Sequence, residues 1–236
     1  MKEILWQETF DKDGSPDPEN WRFDIGGGGW GNNELQYYTD SLNNACVTDN
    51  TLKIIAVKEK KEACTFTSAR LVSKKAFLYG DFRITAKCPE ALGTWAAVWM
   101  LPENFEKYGW PDGGEIDIME YLGFMPDSVI STVHTKYHNH LDGTQKGTEI
   151  TVPDLRSKFH EFRLLWQKDS LEWFVDGVSK FVLTKDELND WPFDKPFNLL
   201  LNLAIGGNLG GLLGIAEDGW PQIFEIESVK VFKIKK

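Results

Sequence analysis

The sequence predicts an all-β sandwich, and three observations lead to this fold class. Strand-like runs recur along the 236 residues, and clusters of Gly, Pro, Asn and Asp separate them. Residues 81–87 and 230–235 alternate apolar and polar side chains at period two, which is typical of a sheet with one buried face. Helix signals are few. We therefore expect one β-sandwich domain over residues 1–236.

The predicted elements follow one another without repeats or long linkers. Asp176-Gly177 separates two strand-like runs and predicts a tight hairpin. Thr184 and Glu187 form a capping box, which predicts a helix of about one and a half turns over residues 184–189. The predicted strands are 3–8, 51–57, 69–73, 80–88, 95–100, 113–121, 128–135, 161–167, 171–175, 197–204 and 223–233.

Charge and hydropathy exclude several classes of partner. The formal net charge is -10 and the pI is near 5.0, so nucleic acid and anionic membrane surfaces would repel this protein. The most apolar run, residues 197–205, is interrupted by Asn198 and Asn202 and is far shorter than the roughly 18 residues of a membrane span. We therefore expect a soluble protein whose partner is a neutral polymer.

The N-terminus and the cysteines give further expectations. Met1-Lys2-Glu3 leads directly into a strand-like run, so no signal peptide is visible.

The three cysteines, Cys46, Cys64 and Cys88, leave at least one thiol unpaired, and none has the spacing of a metal site. We expect them to be buried thiols.

Residues 113–121, Gly-Gly-Glu-Ile-Asp-Ile-Met-Glu-Tyr, place three carboxylates among apolar residues. Side chains alternate faces along a strand, so Glu115 and Asp117 share a face and Glu120 should point away. A β-bulge at residues 118–119 would return Glu120 to the carboxylate face. The carboxyls of Glu115 and Glu120 could then approach the ~5–5.5 Å separation of a retaining glycosidase.

A bare Glu-x-Asp-x-x-Glu pattern is also compatible with a solvated strand face that carries three acids. However, neighbouring carboxylates repel and raise one another's pKa, so strands that face solvent rarely place like charges in a row. A raised pKa is what a general acid needs. We therefore favour a catalytic strand.

The segment Gly-Glu-Ile-Asp-Ile-Met-Glu at 114–120 resembles the signature of the laminarinase branch of family-16 glycoside hydrolases. The resemblance implies a jelly-roll β-sandwich of two antiparallel sheets with a concave substrate cleft. It covers nearly the whole chain, through Gly-Trp-Gly-Asn-Asn-Glu-Leu-Gln-Tyr-Tyr-Thr at 29–39, Ser-Ala-Arg-Leu at 68–71, Trp95 and Trp99, Thr-Val-His at 132–134, and Ala-Ile-Gly-Gly-Asn at 204–208.

The resemblance implies catalytic roles for these residues. Glu115 is the expected nucleophile, Glu120 the acid/base, and Asp117 the residue that orients and tunes the nucleophile. A lone strand histidine is more often structural than catalytic, but the family places His134 beside the acids. Residues 138–140, His-Asn-His, lie on a loop without matching acids or cysteines, and we assign them no role.

Five residues are expected to bind substrate. Trp95 and Trp99 are four apart and share one strand face, where they are either core residues or platforms on which sugar rings stack. The resemblance favours platforms and puts Trp110 at the cleft edge. Arg70, on a strand, needs a carboxylate or sugar hydroxyls as its partner, and we favour a substrate role. By resemblance, Asn33 contacts sugar.

Two positions depart from the family pattern. Leu209 stands where the family usually has Trp, which removes one stacking platform. Glu227 stands where the final strand of the family usually carries Asp. The family links this position, together with that of Glu8, to a structural calcium. A Glu side chain can also supply an oxygen ligand. No cofactor is expected to be required for the chemistry.

The sequence thus predicts an endo-acting, retaining β-1,3-glucanase that acts on laminarin-type or mixed-linkage β-glucan. The alternatives are a non-catalytic glucan-binding protein, which the presence of all three acids disfavours, and a transglycosylase on the same fold. We expect a monomer whose partner is β-glucan polysaccharide or oligosaccharide rather than nucleic acid or membrane. A secreted, cell-surface or periplasmic location follows from that substrate.

Overall fold

The computed structural model describes residues 3–234 and forms a β-sandwich, which confirms the predicted fold class. Residues 1–2 and 235–236, including the end of the predicted alternating run, lie outside the described residues. In chain order the strands are β1 (Ile4–Glu8), β2 (Trp21–Phe23), β3 (Gln36–Tyr38), β4 (Ala45–Thr48), β5 (Thr51–Ala56), β6 (Phe66–Ser68), β7 (Arg70–Phe77), β8 (Gly80–Lys87), β9 (Thr94–Pro102), β10 (Glu115–Leu122), β11 (Ser128–His134), β12 (Lys146–Thr151), β13 (His160–Trp166), β14 (Ser170–Val175), β15 (Val178–Thr184), β16 (Phe197–Ile205) and β17 (Gln222–Phe232).

The strands form two large antiparallel sheets. The outer sheet has the order β15-β14-β13-β8-β17-β5-β4, and β1 also pairs with β17. The cleft sheet has the order β12-β11-β10-β9-β16-β7-β2, so the acid-bearing strand β10 lies near its middle. The short strands β3 and β6 pair in parallel beside these sheets. Within residues 3–234, the helical elements are two single turns, α1 (Phe105–Tyr108) and α2 (Gly207–Gly210), and the 3-10 turns Gly29–Gly31 and Lys185–Glu187.

Period-two alternation separates the core from the open face of the cleft sheet. In β9, Val98 and Met100 are fully buried between the sheets, whereas Trp95 and Trp99 project from the opposite face. The same alternation in β16 buries three leucines in the core and turns two asparagines to the open face. This face is therefore lined by polar and aromatic side chains above an apolar layer.

Several predicted elements differ in extent from those in the structure. The predicted strand over 69–73 continues to Phe77, and the short strands β2, β3, β4, β6 and β12 were not predicted. The hairpin predicted at Asp176-Gly177 is present and joins β14 to β15. The capping box is present, because the backbone N–H and hydroxyl of Thr184 both donate to Glu187, but the helix is a single 3-10 turn, Lys185–Glu187. Short edge strands carry too few residues to show a clear period.

The cysteine prediction is correct for one residue of three. Cys88 is buried, and burial raises the pKa of its thiol well above the usual value. Cys46 and Cys64 are half-buried, so the expectation of burial was wrong for both. All three are free thiols. Within residues 3–234, no helix is long and apolar enough to cross a membrane.

Candidate active site

The predicted β-bulge is present in β10 and brings the three acids to one face. Against β9, Asp117 pairs with Trp99 and Met119 with Val98, so one residue of β10 is extra. The register against β11 shifts between Asp117 and Glu120. Glu115, Asp117 and Glu120 consequently all line the cleft. The bulge prediction is confirmed.

Two side chains from neighbouring elements support the bulge. Ser131 Oγ, on β11, donates a hydrogen bond to the Ile118 carbonyl at 2.9 Å. Trp173, on β14 of the outer sheet, reaches across the core and donates from Nε1 to the Asp117 carbonyl, also at 2.9 Å. Because an irregular ladder leaves backbone groups without strand partners, these two donors satisfy carbonyls that the bulge frees. The outer sheet thus helps to fix the position of the acids.

An indole N–H donates a hydrogen bond to each of the two glutamates that were predicted to be catalytic. Trp110 Nε1 donates to Glu115 Oε2 at 3.0 Å, and Trp95 Nε1 donates to Glu120 Oε1 at 3.1 Å. Each bond occupies one oxygen of its carboxyl group, so the other oxygen remains available for chemistry. The predicted position of Trp110 at the cleft edge is therefore refined, since this residue contacts an acid directly.

His134 lies beside the acids. It is directly opposite Glu115 in the β10–β11 ladder. Its Nε2 lies 3.4 Å from Asp117 Oδ2 and 3.9 Å from Glu115 Oε1. Asp117 and His134 are both buried, with exposed fractions of 2% and 7%. The imidazole can therefore offset negative charge on the acids when it carries a proton.

Burial raises the pKa of all three carboxyls. For Glu115, desolvation is the main cause, and the charge of Asp117 adds to it. For Asp117, desolvation comes first and the charge of Glu120 second. Desolvation also raises the pKa of Glu120, while His134 and the Trp95 hydrogen bond lower it. Three desolvated carboxyls this close together do not all ionise at once. At least one of them therefore keeps its proton at pH values well above the range in which carboxylic acids usually ionise.

The cleft is large and continues on both sides of the acids. Its main part has a volume of about 1060 Å³ and is lined by Trp30, Arg70 and Trp99, among others. A second cavity of about 310 Å³ includes Leu209 in its lining. Trp95, Glu115 and Glu120 line both cavities. An extended ligand could therefore cross the acids and occupy both parts.

Arg70 lies over two aromatic rings. Its guanidinium carbon is 4.9 Å from the centre of Trp30 and 4.8 Å from that of Trp99, and its Nε lies 3.1 Å from Asp24 Oδ2. Asp24 is thus a carboxylate partner for Arg70, which is one of the two alternatives that the sequence left open. Trp99 also donates from Nε1 to Asn202 Oδ1 at 2.7 Å. These contacts connect Asp24, Arg70, Trp99 and Asn202 along one wall of the cleft. Direct contact of Arg70 with substrate stays a prediction.

Asn33 is exposed and joins two loops. Its Nδ2 donates to Asn208 Oδ1 at 2.8 Å, which connects the loop after Gly29–Gly31 to α2. Its neighbours Asn32 and Glu34 line the main cavity. The predicted sugar contact of Asn33 is not tested by this geometry.

Sequence reasoning missed Glu34. Burial raises the pKa of this carboxyl, and a hydrogen bond from Gln36 lowers it. Gln36 Nε2 and the Tyr38 hydroxyl both donate to Glu34 Oε2, at 2.6 and 3.3 Å. Asn202 Nδ2 donates to the same hydroxyl at 3.0 Å. The period-two spacing of residues 34, 36 and 38 was the available signal, because it puts all three on one face.

His140 was also missed, since it was assigned no role. Its ring lies 4.8 Å from that of Trp110 and 5.2 Å from that of His134, and it lines both cavities. Burial lowers its pKa, and the neighbouring His134 lowers it further. A loop residue that approaches the acids only through tertiary packing gives no signal in the local sequence.

The positions linked to calcium lie away from the cleft, on β1 and β17. Glu8 Oε1 accepts from the Phe10 backbone N–H at 3.3 Å, and Oε2 accepts from Asn20 Nδ2 at 2.9 Å. Glu227 is exposed at the point where the register of β17 against β8 shifts. Across residues 3–234, no cluster of three acidic, His or Cys ligands includes either residue. These side chains alone are a poor fit to calcium, which would need further oxygen ligands such as backbone carbonyls.

The geometry can be compared with known proteins. Residues 31–215 match the model of glycosyl hydrolases family 16. A beta-glucanase from Rhodothermus marinus is 46% identical over 244 residues, covering 98% of this chain and 85% of the relative. The X-ray structure of the laminarinase from Rhodothermus marinus has a TM-score of 0.95 and 44% identity, covering 99% of this chain and 98% of that chain.

A similar solved structure contains an oligosaccharide at its active site. A serine variant of SCLam, a non-specific endo-beta-1,3(4)-glucanase, was co-crystallised with an oligosaccharide and contains a 1,3-beta-D-cellobiosyl-glucose at its active site. It has a TM-score of 0.94 and 34% identity, and the match covers 99% of this chain and 95% of that one. The neighbours confirm the expected jelly-roll form of the sandwich. The family match, the fold and the arrangement of the three acids agree, and the chain belongs to glycosyl hydrolase family 16.

Proposed function

We propose that this protein is an endo-acting, retaining glycoside hydrolase that cleaves β-1,3-glucosidic linkages in laminarin-type or mixed-linkage β-glucan. The observation that carries the proposal is the bulge in β10, which turns Glu115 and Glu120 to the same cleft. Retaining enzymes need two carboxyls flanking one glycosidic bond. The names of the Rhodothermus marinus relatives, a beta-glucanase and a laminarinase, support the same activity.

In the first step, a carboxylate oxygen of Glu115 attacks the anomeric carbon and forms a glycosyl-enzyme bond. The bond to the leaving sugar breaks, its electron pair passes to the leaving oxygen, and Glu120 donates a proton to that oxygen. The Trp110 hydrogen bond to Oε2 of Glu115 leaves Oε1 free for the attack.

In the second step, Glu120 acts as a base. It takes a proton from water, the water oxygen bonds to the anomeric carbon, and Glu115 leaves as a carboxylate. Two inversions give net retention of configuration. Trp95 holds one oxygen of Glu120 throughout, so the other oxygen is directed at the proton that moves.

Asp117 and His134 adjust the charge around the nucleophile. Asp117 is buried next to Glu115, and its raised pKa allows it to hold a proton and donate a hydrogen bond that stabilises the Glu115 anion. His134, beside both acids, can donate to whichever is ionised. These two residues keep Glu115 ionised in a site whose dryness would otherwise favour its protonated form.

An endo mode of action follows from the shape of the cleft. Glu115 and Glu120 line both the larger and the smaller cavity, so a glucan chain can extend beyond the cleaved bond in both directions. Trp95 and Trp99 on β9 present aromatic surface for sugar stacking, and Arg70, Asn33 and Trp110 are the proposed polar and edge contacts. Leu209 offers aliphatic instead of aromatic contact in the smaller cavity.

Incubation with laminarin tests this function against two alternatives. The proposal predicts shorter oligosaccharides released from internal bonds, with the β-anomer appearing first by NMR. A glucan-binding protein would retain laminarin without shortening it, and a transglycosylase would give longer products. Parallel assays on mixed-linkage β-glucan and on β-1,4-glucan measure the linkage preference. Initial release of the α-anomer would refute retention.

We further propose a monomer that is secreted, at the cell surface or in the periplasm. Polymeric β-glucan does not cross membranes, so the enzyme must meet it outside the cytoplasm. The net charge of -10 is compatible with a neutral polymer and disfavours nucleic acid. Size-exclusion chromatography with light scattering tests the oligomeric state, and a mass of twice 26.9 kDa would contradict it.

A further inference from the structure

Three side chains at the acid cluster lie close enough together to bind one metal ion. Glu115, Asp117 and His134 each offer one ligand atom, and these atoms lie within 4.8 Å of one another. His134 Nε2 is 3.4 Å from Asp117 Oδ2 and 3.9 Å from Glu115 Oε1. Bonds of about 2.0–2.2 Å in a tetrahedral zinc site separate neighbouring ligands by about 3.3–3.5 Å. Side-chain adjustments of less than about 1 Å would therefore close the site around an ion.

One of the three ligand atoms is a buried oxygen without a hydrogen-bond partner in the described part of the chain. Asp117 is only 2% exposed, and its Oδ2 has no hydrogen-bond partner among residues 3–234. Trp110 occupies Oε2 of Glu115, so Oε1 is the oxygen that faces His134. A buried oxygen without a donor is costly, and a cation would satisfy it.

We propose that Glu115, Asp117 and His134 bind a divalent transition-metal ion such as Zn²⁺, and that this ion reversibly blocks catalysis. One imidazole nitrogen and two carboxylate oxygens suit Zn²⁺ or Cu²⁺, whereas Ca²⁺ takes six to eight oxygens. The cavities on both sides of the acids leave room for water as a further ligand. The inference concerns metal binding and goes beyond the proposed hydrolysis.

The block has a simple physical cause. A metal ion on Glu115 Oε1 uses the lone pair that would attack the anomeric carbon. It also places positive charge where the glycosidic carbon becomes positive in the transition state. Metal and glucan should therefore exclude each other.

His160 offers a matched control. Like His134, it is a buried strand histidine next to an aspartate, with Nδ1 2.8 Å from Asp176 Oδ2. It lies on β13 of the outer sheet, whereas His134 is on β11 of the cleft sheet. Substitution of His160 thus removes a comparable side chain without changing the proposed ligands.

The test measures metal binding directly on the full chain. Titration calorimetry with Zn²⁺ should give one site per chain in the wild type, and Co²⁺ should give the intense visible bands of four- or five-coordinate cobalt. His134→Gln should weaken Zn²⁺ binding by more than about 100-fold, since even changes to outer-shell partners of a metal cost about 10–100-fold. His160→Gln should leave it unchanged. If His134→Gln does not fold by circular dichroism, Asp117→Asn takes its place.

Inhibition of laminarin hydrolysis is measured in an experiment separate from Zn²⁺ binding. Zn²⁺ should inhibit laminarin hydrolysis competitively, with an inhibition constant equal to the dissociation constant from calorimetry, and a chelator should restore the rate. Equal Zn²⁺ affinity in the wild type and His134→Gln, or the weak spectrum of octahedral Co²⁺, would overturn the proposal. Because calorimetry and spectra need no turnover, a failure of the proposed hydrolysis would not be mistaken for a failure of the metal site.

Discussion

The indole Nε1 of Trp110 donates a hydrogen bond to Oε2 of Glu115 over 3.0 Å. Burial raises the pKa of Glu115, and this bond lowers it because it favours the ionised form. Trp110→Phe keeps a ring but removes the donor. A hydrogen bond to a charged group contributes about 1.5–3 kcal/mol, so we expect kcat/KM on laminarin to fall about 10- to 100-fold.

The pH profile of Trp110→Phe gives a second readout. If Glu115 must be ionised to attack, a higher pKa moves the acid limb of kcat/KM to higher pH and leaves the basic limb in place. Trp191→Phe is the control, since its indole donates to the Lys168 carbonyl, a bond outside the active site. An unchanged acid limb in Trp110→Phe would contradict the role of Glu115.

Trp95→Phe should affect the basic limb of the pH profile of kcat/KM. Burial raises the pKa of Glu120, while His134 and the Trp95 hydrogen bond lower it. Removal of the indole N–H therefore raises the pKa of Glu120, which then stays protonated to higher pH. We expect the basic limb of kcat/KM to move to higher pH and the acid limb to stay. Movement of the acid limb instead would assign the nucleophile to Glu120.

Lys195 should stabilise the loop that precedes the acids. Its Nζ donates to the Gly113 carbonyl at 3.3 Å and to the Pro192 carbonyl, and its side chain is only 18% exposed. Lys195→Met leaves these carbonyls without their donor, which costs about 1–3 kcal/mol. For a chain of this size we expect Tm to fall by about 2–10 °C.

The control for this variant is Lys180→Met, because Lys180 is an exposed lysine on β15. Its Tm should stay within about 1–2 °C of the wild type, since surface substitutions usually change stability by no more than about 0.5 kcal/mol. Equal melting of the two variants would show that Lys195 does not hold the loop.

Local patterns in the sequence were enough to predict the centre of the site. The odd spacing of Glu115 and Glu120 required a bulge, and the structure has that bulge at the expected residues. The even spacing of Trp95 and Trp99 put both on one face, which lines the cleft. These inferences needed only the period of a strand, which is a property of the backbone.

Contacts between distant segments could not be predicted in this way. The guanidinium of Arg70 lies over Trp30, forty residues earlier, and His140 reaches Trp110 from a separate loop. The hydrogen bond from Trp173 to the Asp117 carbonyl crosses between the two sheets. Such contacts depend on how the sheets face each other and on loop paths, and strand periodicity determines neither.

Calcium near Glu8 stays a prediction. A bound ion would stabilise the folded state, so excess chelator should lower Tm by a few degrees without affecting the acids. Glu8→Gln should abolish the difference between calcium and chelator. An unchanged melting curve in excess chelator would count against a stabilising ion, in agreement with the hydrogen bonds that already occupy both oxygens of Glu8.

Azide rescue on an activated aryl β-glycoside tests the central claim most directly, because it reads the role of each glutamate from product stereochemistry. Glu115→Ala removes the nucleophile, so azide attacks the anomeric carbon once and inversion gives an α-glycosyl azide. Glu120→Ala keeps the nucleophile, and the activated leaving group needs no proton. Azide then attacks the glycosyl-enzyme, and two inversions give the β-glycosyl azide.

NMR of the azide products gives the answer. The account predicts the α-azide from Glu115→Ala and the β-azide from Glu120→Ala. An Asp117→Asn control should give neither azide, because it retains both glutamates and hydrolyses substrate with water at a reduced rate. Exchange of the two products would reverse the assignment of nucleophile and acid/base, and the α-azide from both variants would contradict the covalent, retaining mechanism.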